Sequence, residues 1–139
     1  VLVNGCYMGG EIAYDNQRFE MIWRLVNRWA DRERLIAEHM SQAFSQETGL
    51  PAFAYKGPNA LKVGKVEGVW ARNLLANRIY EAPVIFLEPY IANSEEVYQR
   101  IQGVGSDHHD TNQGQSRKSI VQEYVDAVVL GLEQADSQK

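Results

Sequence analysis

The chain has 139 residues, of which 45% are hydrophobic and 23% charged, and its formal net charge is −4 at pH 7. This composition is typical of a folded domain rather than a disordered chain, and no apolar run approaches the roughly 20 residues that a membrane-spanning helix needs. Acidic and basic residues are interleaved, so the sequence offers no concentrated basic face for nucleic acid. We expect a single α/β domain over residues 1–135 and a frayed tail at 136–139.

The first residues predict a strand that ends in a turn, because Val1-Leu2-Val3 is followed by Asn4-Gly5. The segment lacks the basic and apolar regions of a signal peptide, so we do not interpret it as a leader. A chain that opens in mid-strand is expected to lack an upstream part. The single cysteine, Cys6, has no internal disulfide partner, and we expect it to act as a small packing residue.

A long helical pattern follows, with apolar residues at helical spacing between Ile22 and Phe44. Two interpretations stay open: one bent helix, or two helices of which the second is capped by Asp31. Gly49 can adopt the left-handed conformation that ends a helix, and Pro51 prevents its continuation. Residues 52–68 alternate apolar residues with Gly, Pro and Asn, which predicts loops and short strands.

The next segment predicts a compact helix over Val69–Ile79, followed by a strand over Pro83–Leu87 that is buried on both faces. This succession favours α/β architecture. Asn93 is predicted to cap a further helix, because Glu96 lies three residues later. A loop is expected over residues 103–115. The last helix is predicted to begin near Ser119, with its apolar rows formed by Ile120, Tyr124, Val128 and Leu132 and by Val121, Val125 and Val129.

Glu88 directly follows the four apolar residues of the predicted strand. A carboxylate in that position is costly to bury unless a metal or a positive group compensates it. Functional groups of α/β sheets gather at the carboxyl ends of strands, and Pro89 favours extended backbone at Glu88. Glu88 is therefore either a functional residue or simply the point at which the strand reaches solvent.

The segment Ala82–Glu96 resembles the closing motif of the zinc-dependent N-acetylmuramoyl-L-alanine amidases, the family called amidase type 3. That motif is a proline, four apolar residues, a glutamate, a small turn, an aromatic, an apolar residue, then Ser/Thr-Asn and an acidic helix start. The order of the surrounding helices is also similar, so the resemblance covers most of the chain, although only Pro83–Glu96 is specific. It implies a mixed sheet flanked by helices, in an amidase-like three-layer sandwich that is incomplete at its N-terminus.

In that family two histidines, a glutamate and a water bind the zinc, which activates the water and polarises the amide carbonyl. A glutamate at a strand end takes the proton of the water and passes it to the leaving amine. The resemblance gives this acid/base role to Glu88. It also implies zinc as the cofactor and peptidoglycan or a muropeptide as the ligand, cleaved between the lactyl group of N-acetylmuramic acid and L-alanine.

The resemblance breaks down at the metal ligands. The second zinc histidine of the family lies in a His-x-Asn pattern, and the segment Val1–Asn4 fits that strand with Leu2 at the histidine position. The family's first histidine and its glutamate ligand lie further upstream than the residues of this chain. We therefore expect Glu88 without identifiable zinc ligands, and a chain that is inactive alone.

The three histidines suggest other sites only weakly. His39 lies beside the apolar row of the long helix, as structural histidines often do. His108 and His109 lie between aspartates, as in the DHH phosphoesterases, but in a Gly- and Gln-rich segment without the companion motifs of that family. They can bind zinc adventitiously. Trp23, Trp29 and Trp70 are expected to be core or interface anchors rather than a sugar platform.

Two functions remain as hypotheses. The chain is either the later part of a peptidoglycan amidase domain, which hydrolyses its substrate when complete, or a non-catalytic module that binds cell-wall peptide or a protein partner. The resemblance favours the bacterial cell envelope. An incomplete sheet would expose an apolar edge, which predicts association between copies of the chain.

Overall fold

The computed structural model describes residues 1–8, 11–102 and 118–138. Within these ranges the chain forms three strands, four α-helices and a one-turn 3-10 helix. In chain order they are β1 (Leu2–Asn4), α1 (Asp15–Val26), α2 (Trp29–Thr48), β2 (Leu61–Lys62), β3 (Trp70–Arg72), the 3-10 helix (Leu75–Asn77), α3 (Glu95–Gln102) and α4 (Ile120–Asp136). No helix in the described part of the chain is both long and apolar enough to cross a membrane.

The strands form a small mixed sheet in the order β1-β3-β2, so the α/β class is confirmed at this coarse level. β1 is parallel to β3, with Leu2 opposite Trp70, and β2 is antiparallel to β3. On the other edge of β1, Leu2 forms an antiparallel bridge with Phe86. The two backbone hydrogen bonds of this bridge are both 2.8 Å long.

The predicted helix over Val69–Ile79 is wrong. Its first part is the strand β3, in which Ala71 is buried while Trp70 and Arg72 are half-buried. Side chains that alternate between two faces are typical of a strand, and the ladder with β1 satisfies the backbone groups of this segment. Only Leu75–Asn77 is helical, as a single 3-10 turn.

The prediction that Pro83–Leu87 forms a strand buried on both faces is also wrong. The segment is half-buried, and Phe86 is its one residue with a bridge partner. The backbone N–H of Val84 donates to the carboxylate of Glu33 at 2.9 Å, and its carbonyl accepts from the side-chain amide of Asn77 at 3.2 Å. Side chains therefore satisfy backbone groups that a neighbouring strand would otherwise bind.

The long helical pattern resolves into two helices, α1 and α2, which are separated by Arg28 in the left-handed conformation. Asp31 does not cap the second helix. It lies in the first turn of α2 and forms ion pairs with Arg28 and Arg34. Gly49 ends α2 in the left-handed conformation, as predicted.

The buried face of α1 is the opposite of the one that its apolar residues indicate. Arg24 is buried, whereas Ile22, Leu25 and Val26 are exposed. The Arg24 guanidinium forms an ion pair with Glu33 on α2 and lies 5.2 Å from the ring centroid of Trp29. A specific ion pair therefore determines which face of α1 meets α2.

The last helix begins as predicted, because the hydroxyl of Ser119 accepts a hydrogen bond from the backbone N–H of Gln122. Its predicted core face is confirmed only in part. Val128 packs against the core around Met40 and Phe44, Ile120 is half-buried, and the ring of Tyr124 contacts Phe44. Val121, Val125, Val129 and Leu132 are exposed, and the buried residues are Glu123, Ala127, Gly131 and Ala135. These residues recur at every fourth position, and three of them are small, so the backbones of α2 and α4 approach closely. A Cβ atom at Gly131 would lie 3.0 Å from the Cα atom of Met40.

Two further predictions concern the region before α4. The helix α3 begins at Glu95, so Ser94 rather than Asn93 precedes its first residue. Val97 is buried, whereas Ile101, four residues later on the same side of α3, is 36% exposed. The loop expected over residues 103–115 lies outside the described residues. Cys6 is partly buried against the core around Val3, in agreement with a packing role.

We predict that Gly131→Val lowers the free energy of unfolding by about 1–3 kcal/mol, because the added side chain overlaps Met40 in a packed interface. Urea denaturation followed by circular dichroism measures the change. Val129→Ala, at an exposed position of the same helix, is the control and should change stability by no more than about 0.5 kcal/mol. Equal effects of the two substitutions would contradict the close approach of α2 and α4.

We also predict strong coupling between Arg24 and Glu33. Burial raises the pKa of the Glu33 carboxyl, while the Val84 N–H and Arg24 act in the opposite direction. Replacing either residue by Met leaves a buried charge without its partner, which should cost about 3–5 kcal/mol. The double variant should lose clearly less stability than the sum of the single variants, and urea denaturation of the four proteins tests this. Additive losses would show that the ion pair does not exist in solution.

Candidate functional site

A groove of about 770 Å³ lies beside the N-terminal end of β1. One wall is formed by α2 and by the loop from Leu50 to Tyr55, and the other by the segment from Leu87 to Ile91. Leu2 of β1 and Trp70 of β3 also line it, so the sheet contributes directly to the groove. Its volume is within the range of about 300–1,000 Å³ that is common for small-molecule sites.

Glu88 lies in this groove with an exposed carboxylate. Its position follows from the bridge between Leu2 and Phe86, since Glu88 is two residues further along the same extended segment. The hydroxyl of Tyr55 donates a hydrogen bond of 2.9 Å to Oε2 of Glu88. Glu88 is thus the candidate residue of the sequence that the structure places in a groove.

Tyr55 is held as a hydrogen-bond donor by its surroundings. Burial raises the pKa of the Tyr55 hydroxyl, and the carboxylate of Glu88 raises this pKa further. The positive charge of Arg72 lowers it by a smaller amount. The phenol therefore keeps its proton at neutral pH and is available to donate to Glu88.

Three aromatic side chains, Phe53, Tyr55 and Trp70, form what we call the aromatic cluster. The ring centroids of Phe53 and Tyr55 are 5.1 Å apart, and those of Tyr55 and Trp70 are 5.4 Å apart, both in edge-to-face arrangement. The indole N–H of Trp70 donates to the carbonyl oxygen of Phe53 at 3.1 Å. The guanidinium of Arg72 lies 5.3 Å from the centroid of Tyr55. These contacts join the three rings to one another beside the groove.

Tyr90 and Tyr124 contribute to the groove near α4. The hydroxyl of Tyr90 donates to the carbonyl oxygen of Ile120 at 3.2 Å. Burial, followed by the nearby charge of Glu123, raises the pKa of Tyr90 to about 12. The ring of Tyr124 packs on Phe44, with centroids 5.4 Å apart. This end of the groove is therefore built from two tyrosines, of which Tyr90 keeps its proton at neutral pH.

The described residues around Glu88 do not fit a zinc site. Leu2, which stands where the amidase resemblance requires the second histidine, is 1% exposed and lines the groove with a side chain that cannot bind a metal. In the described ranges no three His, Cys, Asp or Glu side chains come close enough together to hold a metal ion. His39 is half-buried on α2 and does not line the groove. His108 and His109 lie outside the described residues.

The sequence pattern indicates little of the groove. Trp70, expected to be a core or interface anchor on a helix, lies on β3 in the aromatic cluster with Phe53 and Tyr55, for which the sequence predicts no role. The alternation Phe53-x-Tyr55 after Pro51 was the available signal, because alternate residues of an extended segment point the same way. Trp23 stacks on Phe19 on the exposed side of α1, and Trp29 packs under Arg24.

Comparison with known proteins identifies no family. No protein-family model matches the sequence, and neither the curated proteins nor the solved structures contain a significant match.

We predict that Glu88→Gln lowers the pKa of the Tyr55 hydroxyl, because it removes a negative charge that disfavours the phenolate. NMR detection of the tyrosine Cζ signals during an alkaline titration measures the change. Tyr90 is the internal control, since its pKa is raised by burial and by Glu123. A Tyr55 pKa that is identical in the two proteins would contradict the contact between Tyr55 and Glu88.

Proposed function

We propose that this chain is an amidase-like domain, built on the three-layer sandwich of that family, that recognises peptidoglycan in the groove beside Glu88. The observation that carries the proposal is the meeting of Leu2 and Glu88 in one groove. The resemblance gives these two positions to a zinc ligand and to the acid/base, which act on the same bond. If this domain and the amidase family share an ancestor, the positions of Leu2 and Glu88 must lie in the same groove.

Recognition without hydrolysis is the function that the geometry supports best. The groove has apolar and aromatic walls and a few polar groups, which is the usual character of a ligand site. Glu88 is exposed to an incoming ligand, and Tyr55 fixes one of its oxygens. The carboxylate can accept a hydrogen bond from an amide N–H of the cell-wall peptide. Leu2 occupies the place of a ligand that hydrolysis by the family's chemistry requires.

Hydrolysis of the N-acetylmuramoyl–L-alanine bond is a second candidate, favoured by the exposed carboxylate of Glu88 at the groove. Glu88 would then act as a general acid/base, provided that metal ligands come from residues other than those described here. Zinc is the metal that the resemblance implies. The envelope location and the association between copies remain predictions.

Co-sedimentation with purified peptidoglycan sacculi tests the proposal. We expect the chain to sediment with sacculi and Glu88→Gln to weaken this binding by about tenfold, the loss of one good charge-assisted hydrogen bond. Glu133→Gln, which changes an exposed glutamate of α4 away from the groove, is the matched control and should bind like the wild type. A chain that does not sediment, or that binds equally well without the Glu88 carboxylate, would refute the proposed site.

The same samples separate the two candidates. Zinc content is measured after dialysis against a weak chelator, and the release of stem peptides from sacculi is followed with and without added zinc. Binding without release supports recognition alone. Zinc-dependent release that Glu88→Gln abolishes and Glu133→Gln preserves would establish the amidase and show that the metal ligands lie outside the described residues.

A further inference from the structure

We infer that the aromatic cluster is a subsite for an N-acetylated sugar ring, so that the groove holds the glycan as well as the peptide of its ligand. The inference rests on the proposed function, because it assigns one part of the same ligand to one part of the same groove. It concerns Phe53, Tyr55 and Trp70, to which the amidase resemblance gives no role.

The first argument is the exposure of Phe53 together with its contacts to the rest of the cluster. Its side chain is 51% exposed at the groove, although an aromatic ring of this size is normally buried. The ring contacts Tyr55 edge to face, and the Phe53 backbone is tied to the indole of Trp70. Contacts of this kind reduce the conformational entropy that the ring loses when a ligand packs on it.

The second argument is the polar border of the cluster. The hydroxyl of Tyr55 and the carboxylate of Glu88 lie at its edge and line the groove. The guanidinium of Arg72 lies over the Tyr55 ring and does not line the groove. A pyranose ring presents C–H groups on its face and hydroxyl or acetamido groups around its rim. Aromatic rings with planar polar side chains beside them therefore match both parts of an N-acetylated sugar.

The geometry is less suited to an extended peptide on the cluster. Peptides that add to a sheet need a strand edge with free backbone groups. The edge of β1 beside this groove is already bridged by Phe86. The backbone nitrogen of Val1, which also lines the groove, donates to the carbonyl oxygen of Gly68 at 2.8 Å. Ligand contacts at the cluster are thus made chiefly by side chains.

The position of the subsite agrees with the role proposed for Glu88. The lactyl group links the muramic acid ring to the first amide of the stem peptide, so the two are separated by only a few bonds. The 2.9 Å hydrogen bond from Tyr55 places the aromatic cluster directly beside Glu88. A sugar ring on the cluster therefore brings the neighbouring amide to the carboxylate.

NMR titration of the full chain with tetra-N-acetylchitotetraose, a glycan that carries no peptide, tests the inference. We expect the indole N–H signal of Trp70, assigned with Trp70→Phe, to shift, and Phe53→Ala to weaken binding by about tenfold. Phe19→Ala removes an exposed aromatic of α1 outside the groove and should leave the affinity within about twofold of the wild type. Thermal unfolding of both variants confirms that they remain folded.

Absence of any shift at Trp70 at millimolar glycan would overturn the inference. So would a Phe53-dependent shift caused by a free stem peptide but not by the glycan, since the cluster would then be a peptide site. Failure of this inference and failure of the proposed function are distinguishable. If sacculi still bind in a Glu88-dependent manner while the glycan does not, only the sugar subsite is wrong.

Discussion

The pairing of Leu2 with Phe86 determines where the groups of the groove lie. Leu2 exchanges two backbone hydrogen bonds with Phe86 on one edge of β1, and on the other edge it lies opposite Trp70 of β3. The segment that carries Glu88 and the strand that carries Trp70 are therefore held on either side of one residue. A change in either register would separate the carboxylate from the aromatic cluster, since a shift of one residue turns side chains to the opposite face.

The remaining elements support that arrangement from outside. Glu33 on α2 accepts a hydrogen bond from Val84, which anchors the segment that leads to Glu88. The side-chain amide of Asn77 donates to the carbonyl oxygens of both Leu2 and Val84, and so joins the two backbones of the bridge. Small residues on α4 allow α2 to pack closely against that helix, and α2 in turn forms one wall of the groove. Buried polar contacts thus position a short sheet that has few ladder hydrogen bonds of its own.

Local signals in the sequence predicted some features well. Gly49 and Ser119 mark helix ends through backbone conformation and capping, which depend on neighbouring residues. Apolar periodicity does not indicate the buried face of α1, because Arg24 is buried by its ion pair with Glu33. It indicates the buried face of α4 only in part, because Gly131 is buried where α4 approaches α2 closely, while Val128 packs against the core. The apolar run before Glu88 indicates this residue from local sequence alone. Tyr55 is 33 positions away in the chain, and only the tertiary fold brings it next to Glu88.

The proposed binding site for peptidoglycan combines Leu2, Glu88 and the aromatic cluster in one groove. The most direct test is an NMR chemical-shift map of the chain with a soluble muropeptide that contains the disaccharide and the stem peptide. The account predicts that the perturbed amide and side-chain signals lie around the groove, on both sides of Glu88. Perturbations confined to another surface, or absent at millimolar ligand, would contradict it.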